Sequence, residues 1–202
     1  MFVTTRSITL GVFVSLLLFA CGSSPPVRFF SFSPMETVYR QDPGDAVVLG
    51  LGPLHIPDYL NRSQIVTRGA GAEMQVDEFN RWAEPLGLSL HRVVSADVDN
   101  LLDGVVVIAY PYEATVRTLV DYRLLGDVIR FDADQSGRIV LDTQWAIFPA
   151  VGSGVTVPPR RSRYEAQAAT AGDPAAVAVA MNEALALFSR DIAGELEAVL
   201  QD

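Results

Sequence analysis

The chain has 202 residues, of which 50% are hydrophobic, and 24 acidic against 15 basic side chains give it a net charge of −9. This hydrophobic content indicates a folded globular protein and excludes a disordered one. The negative charge argues against nucleic acid as a partner and against general adsorption to anionic lipid. With a single cysteine in the sequence, no intramolecular disulfide can form.

The N-terminal segment has the features of a bacterial lipoprotein signal. Arg6 is its positive charge, residues 8–20 carry no charge, and Cys21 stands where this apolar run ends. The run is too short to cross a bilayer, which takes about 20 residues. We therefore expect residues 1–20 to be a signal peptide, Cys21 to carry lipid, and residues 21–26 to form a short tether. Because no Asp follows Cys21, the signal resembles one for the outer membrane.

After the tether, residues 27–202 are expected to form one domain. Apolar side chains recur in steps of three and four from Phe79 and predict a helix over 79–102, with Pro85 in its first turn. Pro53 is expected to close the second of the strands that precede this helix. Short apolar runs predict strands at 27–32, 46–51, 64–67, 73–76 and 105–109.

The second half of the sequence predicts a long hairpin and a closing helix. Alternation of apolar and polar residues begins at Val116, with a bulge near Gly126, a turn at 132–137 and a return strand after it. A further strand is expected around 162–168, and Asp173-Pro174 supplies the N-cap and first position of a helix. The expected fold class is α+β: a single domain with a mixed, largely antiparallel sheet, a long hairpin and two main helices packed on it.

Three short patterns resemble functional sites, and each has a simpler structural explanation. Residues 132–137 follow the opening of a calcium loop, but Thr143 stands where that loop needs a glutamate, so a hairpin turn explains them. His55 and His91 lie in no metal-ligand spacing. Residues 152–154 lack the preceding glycine of a nucleophile elbow. The sequence predicts no catalytic residue, no metal site and no cofactor.

Arg160, Arg161 and Arg163 form the one basic cluster of this acidic sequence. Two interpretations are open. The cluster is a solvated strand edge, or it contacts lipid headgroups or an acidic partner.

Two motifs resemble those of a known family. Residues 52–68 read G-P-L-H-I-P-D-Y-L-N-R-S-Q-I-V-T-R, and residues 81–86 read R-W-A-E-P-L. These are similar to the G-P-V-x-x-P-x-Y-L-D-R-P-Q-I-V and R-W-A-E-P-L motifs of the PqiC-like ABC-type transport auxiliary lipoproteins. The chain differs from them mildly at Leu54, Asn61 and Ser63. The similarity continues through the hairpin and the closing helix, so that it covers essentially the whole mature chain.

The resemblance implies a non-catalytic, periplasm-facing lipoprotein of the outer membrane in a lipid transport system whose MCE-domain proteins bridge the periplasm. The implied partners are the membrane, through lipid on Cys21, and an MCE-domain transport subunit. The resemblance also allows a homo-oligomeric ring, since some members of the family form rings. The alternatives are a stand-alone periplasmic lipid- or ligand-binding lipoprotein and an envelope hydrolase with a site assembled from scattered residues.

The motif residues themselves allow two interpretations. They form an interface with a partner, or they lock a loop onto the helix with arginines paired to carboxylates, which we favour. The residues concerned are Pro57, Tyr59, Leu60, Arg62, Arg68, Arg81 and Trp82.

Overall fold

A computed structural model describes residues 24–36, 44–152 and 154–201. The expected signal peptide, Cys21 and the start of the tether lie outside the described residues. So do residues 37–43, 153 and 202.

The described residues form eight strands and three α-helices, in agreement with the expected α+β class. The helices are α1 (Leu86–Leu101), the short α2 (Ala114–Arg117) and α3 (Pro174–Gln201). One turn of 3-10 helix spans Asp58–Leu60. The strands are β1 (Arg28–Phe30), β2 (Val47–His55), β3 (Gln64–Arg68), β4 (Met74–Trp82), β5 (Val105–Ala109), β6 (Tyr122–Ala133), β7 (Arg138–Pro149) and β8 (Val157–Gln167).

All eight strands belong to one mixed sheet organised around β6. One edge of β6 pairs with β7, which continues to β8, and both of these long pairings are antiparallel. The other edge of β6 pairs in parallel with β2 over its first half and with β3 at Ala133. Beyond β2 lies β5, and beyond β3 lie β4 and then β1. The expected mixed sheet with a long hairpin is therefore confirmed.

The two main helices pack against each other and on the sheet. α3 lies on β7 and β8, and α1 lies on β2 and β5. Burial alternates along the hairpin, so that Trp145 is buried while Gln144 is exposed. Phe188 of α3 meets the Trp145 ring at a centroid distance of 6.1 Å. In the part of the chain that the structure describes, no helix is both long and apolar enough to cross a membrane.

Two prolines change the expected boundaries. β2 continues past Pro53 to His55, because the proline sits where the pairing with β6 shifts register, between Leu51 and Leu54, and its missing N–H is tolerated there. The expected helix over 79–102 was wrong at its start. Helix α1 begins only after Pro85, because a residue that precedes a proline is disfavoured in the helical conformation.

The segment before the hairpin also differs from expectation. Val116 lies in helix α2, and β6 begins only at Tyr122. The apolar spacing of Val116 and Val120 fits one helical turn as well as a strand. The irregularity expected near Gly126 lies between Val128 and Arg130. Gly126 is instead a close-approach site, where a Cβ would lie 2.9 Å from the carbonyl oxygen of Gln144.

Candidate functional site

The first motif folds into a loop that joins two strands of the sheet. After β2, Pro57 precedes the 3-10 turn, and its carbonyl accepts a hydrogen bond from the Leu60 N–H at 3.0 Å. Leu60 is 3% exposed and belongs to the core. The turn places Tyr59 over β6, and β3 then carries Arg68 alongside the end of the same strand.

These side chains converge on the carboxylate of Asp132, which is fully buried. The Tyr59 hydroxyl donates to Oδ2 at 2.9 Å, and the Arg68 guanidinium donates to Oδ1 at 3.2 Å and Oδ2 at 2.8 Å. Arg130 Nε donates to Oδ1 at 2.8 Å. One buried carboxylate thus receives hydrogen bonds from three side chains on the loop, β3 and β6. We call these four residues the Asp132 cluster.

The electrostatics of the Asp132 cluster favour a fixed structural state. Burial and the adjacent Asp132 charge raise the pKa of Tyr59 to about 12, so its hydroxyl remains a donor. The hydrogen bond to Asp132 raises the pKa of Arg68. Two guanidinium groups surround one carboxylate, and both still reach solvent, with 31% exposure for Arg68 and 23% for Arg130. Every group of the cluster therefore has a hydrogen-bond partner within it.

The second motif attaches the N-terminal segment to the domain. The Trp82 ring is buried and lies 4.7 Å from the ring centroid of Phe32, which in turn lies 5.8 Å from Phe131. The backbone N–H of Ala83 donates to the carbonyl of Phe30 at 2.7 Å. Trp82 and its neighbours therefore hold β1 and the residues that follow it against the core.

The rest of this motif begins helix α1. Glu84, just before the helix, pairs with Arg92 of α1. The hydrogen bond from Arg92 lowers the pKa of the Glu84 carboxyl. The Arg92 guanidinium also donates to the carbonyl of Phe32 at 3.0 Å. Pro85 caps the helix, and Leu86 is buried in its first turn. The motif thus links three parts of the chain, namely the N-terminal segment, β4 and α1.

A second buried carboxylate secures the N-terminal segment further along. Asp97 of α1 is 1% exposed, and its Oδ1 accepts from the Met35 N–H at 2.7 Å. The Ser189 hydroxyl of α3 donates to its Oδ2 at 3.2 Å. Burial raises the pKa of Asp97. The segment from β1 to Met35 is consequently tied to both main helices.

Three of the expected motif residues lie nearer the surface. Pro57 is half-buried, Arg62 is exposed, and Arg62 makes none of the ion pairs found among the described residues. Arg81 stays close to Glu78, with Nη2 3.8 Å from Oε2. The motif therefore divides into an internal part, made of Tyr59, Leu60, Arg68 and Trp82, and a surface part.

His91 is a structural residue in an enclosed position. Its Nε2 accepts the Leu54 N–H at 2.7 Å, so Nδ1 carries the proton and faces the Gly87 carbonyl at 2.6 Å. Burial lowers the pKa of His91. Gly52, with a φ of 105°, leaves room for the ring, since a Cβ there would lie 2.8 Å from it. His55 is exposed at the end of β2.

The calcium-like pattern is a hairpin turn. Both Asp132 oxygens are occupied by the cluster described above. Asp134 Oδ1 accepts the Ser136 N–H at 2.9 Å and the Arg138 N–H at 3.1 Å, which closes the turn between β6 and β7. Across residues 24–36, 44–152 and 154–201, no group of three or more metal-ligating side chains is found.

The three arginines of β8 do not form one patch. Arg160 faces helix α3, where it pairs with Glu195 and lies over the Trp145 ring at 5.4 Å. Arg163 donates to Asp142 of β7 at 2.6 and 2.9 Å. Arg161 is exposed opposite Gln144. Two of the three charges are thus neutralised within the domain.

A groove of about 710 Å³ opens between the β3–β4 hairpin and the start of α3. Ile65, Val76 and Val177 supply apolar walls, and charged side chains including Arg68 and Asp134 stand around it. It is an open groove with mixed polarity and does not enclose an apolar ligand.

Three residues of this arrangement were not expected from the sequence. They are Phe32, Asp97 and Asp132. The part that each plays depends on contacts between residues far apart in the chain. A buried aspartate inside an apolar strand, as in the Arg130-Phe131-Asp132 sequence, was the available signal for Asp132.

The family model described as an ABC-type transport auxiliary lipoprotein component matches residues 30–193. The chain belongs to this family. The match includes both motifs, the Asp132 cluster and most of α3, so the internal contacts of this auxiliary lipoprotein lie within the family domain.

Solved structures share the fold of the auxiliary lipoprotein. Protein XCC0632 from Xanthomonas campestris is 20% identical, with a TM-score of 0.68 over 87% of this chain and 97% of its own. A second protein, described only as uncharacterized, is 20% identical, with a TM-score of 0.70 over 85% and 99%. Protein CT253 from Chlamydia trachomatis is 11% identical, with a TM-score of 0.53 over 78% and 99%. No curated protein matches the chain.

Proposed function

We propose that this auxiliary lipoprotein is a non-catalytic subunit, anchored in the outer membrane through Cys21, that docks an MCE-type intermembrane lipid transport system. The family match over residues 30–193 is the observation that carries the proposal. The lipoprotein signal that ends at Cys21 supports the anchor. The stated alternative, a stand-alone periplasmic lipid- or ligand-binding lipoprotein, is supported only by the groove beside α3.

The chemistry of the described residues agrees with a docking role. The buried carboxylates of Asp132 and Asp97 are both occupied by hydrogen-bond donors. His91 has its two nitrogens engaged with backbone groups. These three groups stabilise the fold, and Ser189, whose hydroxyl lies beside Asp97, is itself fully buried.

The motifs contribute to docking by making the anchored end rigid. Phe32 and Met35 connect the tether to Trp82 and Asp97 respectively. A lipid on Cys21 would therefore hold the whole domain in place, and not only a loose terminus. Arg62 is the exposed arginine of the motif, and a docked partner would contact it there.

The test is crosslinking of the lipidated protein in intact envelopes, followed by purification and identification of the crosslinked proteins. We expect an MCE-domain or transporter subunit to be recovered. Arg62→Glu should reduce the recovery, whereas Arg161→Glu is a matched control on the opposite side of the hairpin and should not. Recovery of no transport subunit, with the protein itself crosslinked normally and bound lipid present, would favour the alternative.

A further inference from the structure

The sheet ends in a small apolar edge near the point where the tether enters the domain. Val27 is 42% exposed, Phe29 is 65% exposed and Phe79 is 40% exposed. In the parallel register of β1 and β4, Phe29 lies opposite Arg81. We call Val27, Phe29, Phe79 and Arg81 the edge patch.

The aromatic side chains next to the edge patch in the sequence do reach the core. Phe30 packs against the core, and Phe32 is 2% exposed between aromatic rings. Phe29 alternates with these residues along the chain and therefore points away from the core. An aromatic side chain left this exposed, grouped with Val27 and Phe79 beside the buried Phe32, favours a surface that something else covers.

The position of the edge patch in the chain favours a lipid surface. Val27 is the sixth residue after Cys21, and six residues of chain span at most about 20 Å. If Cys21 is acylated, as the proposed function requires, Val27 and Phe29 cannot be far from the headgroups. The headgroup layer is itself roughly 5–8 Å thick on each side of the bilayer.

The composition of the edge patch also fits a membrane interface. Phenylalanine and aliphatic side chains next to an arginine are the combination that interfacial amphipathic segments present to a membrane. Arg81 Nε donates to the Glu78 carbonyl at 3.2 Å, and its Nη2 lies 3.8 Å from Glu78 Oε2. The Arg81 side chain is still 36% exposed, so its guanidinium can meet a phosphate group at this edge of an otherwise acidic protein.

A second copy of the chain fits the edge patch less well. Stable protein interfaces bury roughly 1,200–2,000 Å² in total. An aromatic side chain buries roughly 150–250 Å², and the three apolar side chains of the patch are only partly exposed. β1 itself has three residues and offers little backbone for strand pairing. We propose that the edge patch rests on the anionic phospholipid surface in which Cys21 is anchored.

The test uses spin labels on the lipidated full chain bound to vesicles of phosphatidylethanolamine and phosphatidylglycerol. Since Cys21 is the only cysteine and its thiol is occupied by lipid, Phe29→Cys or Val27→Cys introduces a single reactive thiol. Leu119→Cys is the matched control. Leu119 is 64% exposed, like Phe29, and lies just before the start of β6, whereas β3 pairs with the other end of that strand at Ala133. Collision rates of each label with oxygen and with a water-soluble nickel chelate are measured.

We expect labels at 27 and 29 to lose most of their collisions with the nickel chelate and to gain collisions with oxygen, while the label at 119 remains accessible to the chelate. Adding Phe29→Ser to the Val27→Cys chain should restore access of the chelate to position 27. Equal chelate access at 29 and 119 in vesicle-bound protein would overturn the proposal. Protection of position 29 from both reagents would also overturn it, because it would indicate contact with a second copy. A lipidated chain that does not float with vesicles would instead contradict the anchor on which the inference rests.

Discussion

Asp132 illustrates how this domain uses charge at the scale of single residues. A buried carboxylate is costly unless donors surround it, and here Tyr59, Arg68 and Arg130 supply them. Arg130 also lies opposite Asp142 in the hairpin, and Asp142 pairs with Arg163. Opposite charges therefore alternate across β3, β6, β7 and β8, and each is placed by strand register.

Removing the central carboxylate should destabilise the domain. Asp132→Ala leaves two guanidinium groups facing each other without a counter-charge, and we expect a loss of about 3 kcal/mol, at the low end of the range for a broken buried pair because both arginines still reach solvent. Urea unfolding followed by tryptophan fluorescence measures the loss. Asp142→Ala, whose partner Arg163 is exposed, is the control and should cost clearly less. Equal losses in the two variants would show that Asp132 has no special role.

His91 makes stability depend on pH. Its folded pKa lies below the unfolded value of about 6.5, so the unfolded chain binds a proton more readily once the pH falls below 6.5. Its contribution to stability is therefore complete above that pH and declines as the pH falls towards the folded pKa. We expect the melting temperature to drop between pH 7.5 and 5.5.

The matched pair of variants for this prediction is His91→Gln and His55→Gln. His91→Gln should be less stable at pH 7.5 and should lose most of the drop towards pH 5.5, whereas His55→Gln should retain it. Other titrating groups, Asp97 among them, are shared by all three proteins and cancel in the comparison. An unchanged pH profile in His91→Gln would assign the drop to other groups.

At the scale of elements, the N-terminal segment is held by more than its short strand. β1 pairs with β4 over three residues, but Phe32 inserts beside Trp82 and Phe131, and the Met35 N–H reaches Asp97. Side-chain burial therefore does more than strand pairing to keep this segment in place.

Truncating Phe32 should loosen this segment. Phe32→Ala is expected to cost about 3–5 kcal/mol, the usual range for a large aromatic side chain removed from a core. Hydrogen exchange should quicken first at residues 30–35. Phe29→Ala is the control, because an exposed side chain of the same type should change stability by less than about 0.5 kcal/mol. A Phe32→Ala protein as stable as the control would contradict the inserted position of Phe32.

The elements were predictable from the sequence to the extent that local pattern determines them. The β6–β7 hairpin and α3 follow from periodicity, and Asp173 caps α3 through hydrogen bonds from Ala175 and Ala176 at 3.3 Å each, as the sequence indicated. The start of α1 was not predictable from spacing, because Trp82 fits the helical period while belonging to β4. In the Asp132 cluster, Tyr59 and Arg68 lie 73 and 64 positions from Asp132, and no local pattern carries that information.

At the scale of the whole molecule, the lipid anchor is expected to be what retains this acidic domain at the membrane, since the edge patch is too small to do so alone. The net charge of −9 opposes adsorption to anionic lipid over most of the surface. Acyl chains supply roughly 0.8 kcal/mol for each buried methylene, which is enough to offset that repulsion.

Cys21→Ser should therefore move the protein from the membrane fraction to the soluble periplasmic fraction, with an unchanged melting temperature. Membrane fractionation and immunoblotting measure the shift. Adding Ser23→Cys to this variant should not restore membrane binding, because lipidation depends on the position of the cysteine after the apolar run. Retention of Cys21→Ser in membranes would mean that another part of the chain is the anchor.

The route of the N-terminal segment has a mechanical consequence. Any pull between the bilayer and a docked partner must enter the domain through β1, because the tether has no other attachment to it among the described residues. The load then passes to Phe32 and to the Met35–Asp97 hydrogen bond, and from there to both main helices. The strength of the link between membrane and domain therefore depends on the Phe32 ring and on the backbone hydrogen bonds that residues 30–35 make to Ala83, Arg92, Asn182 and Asp97.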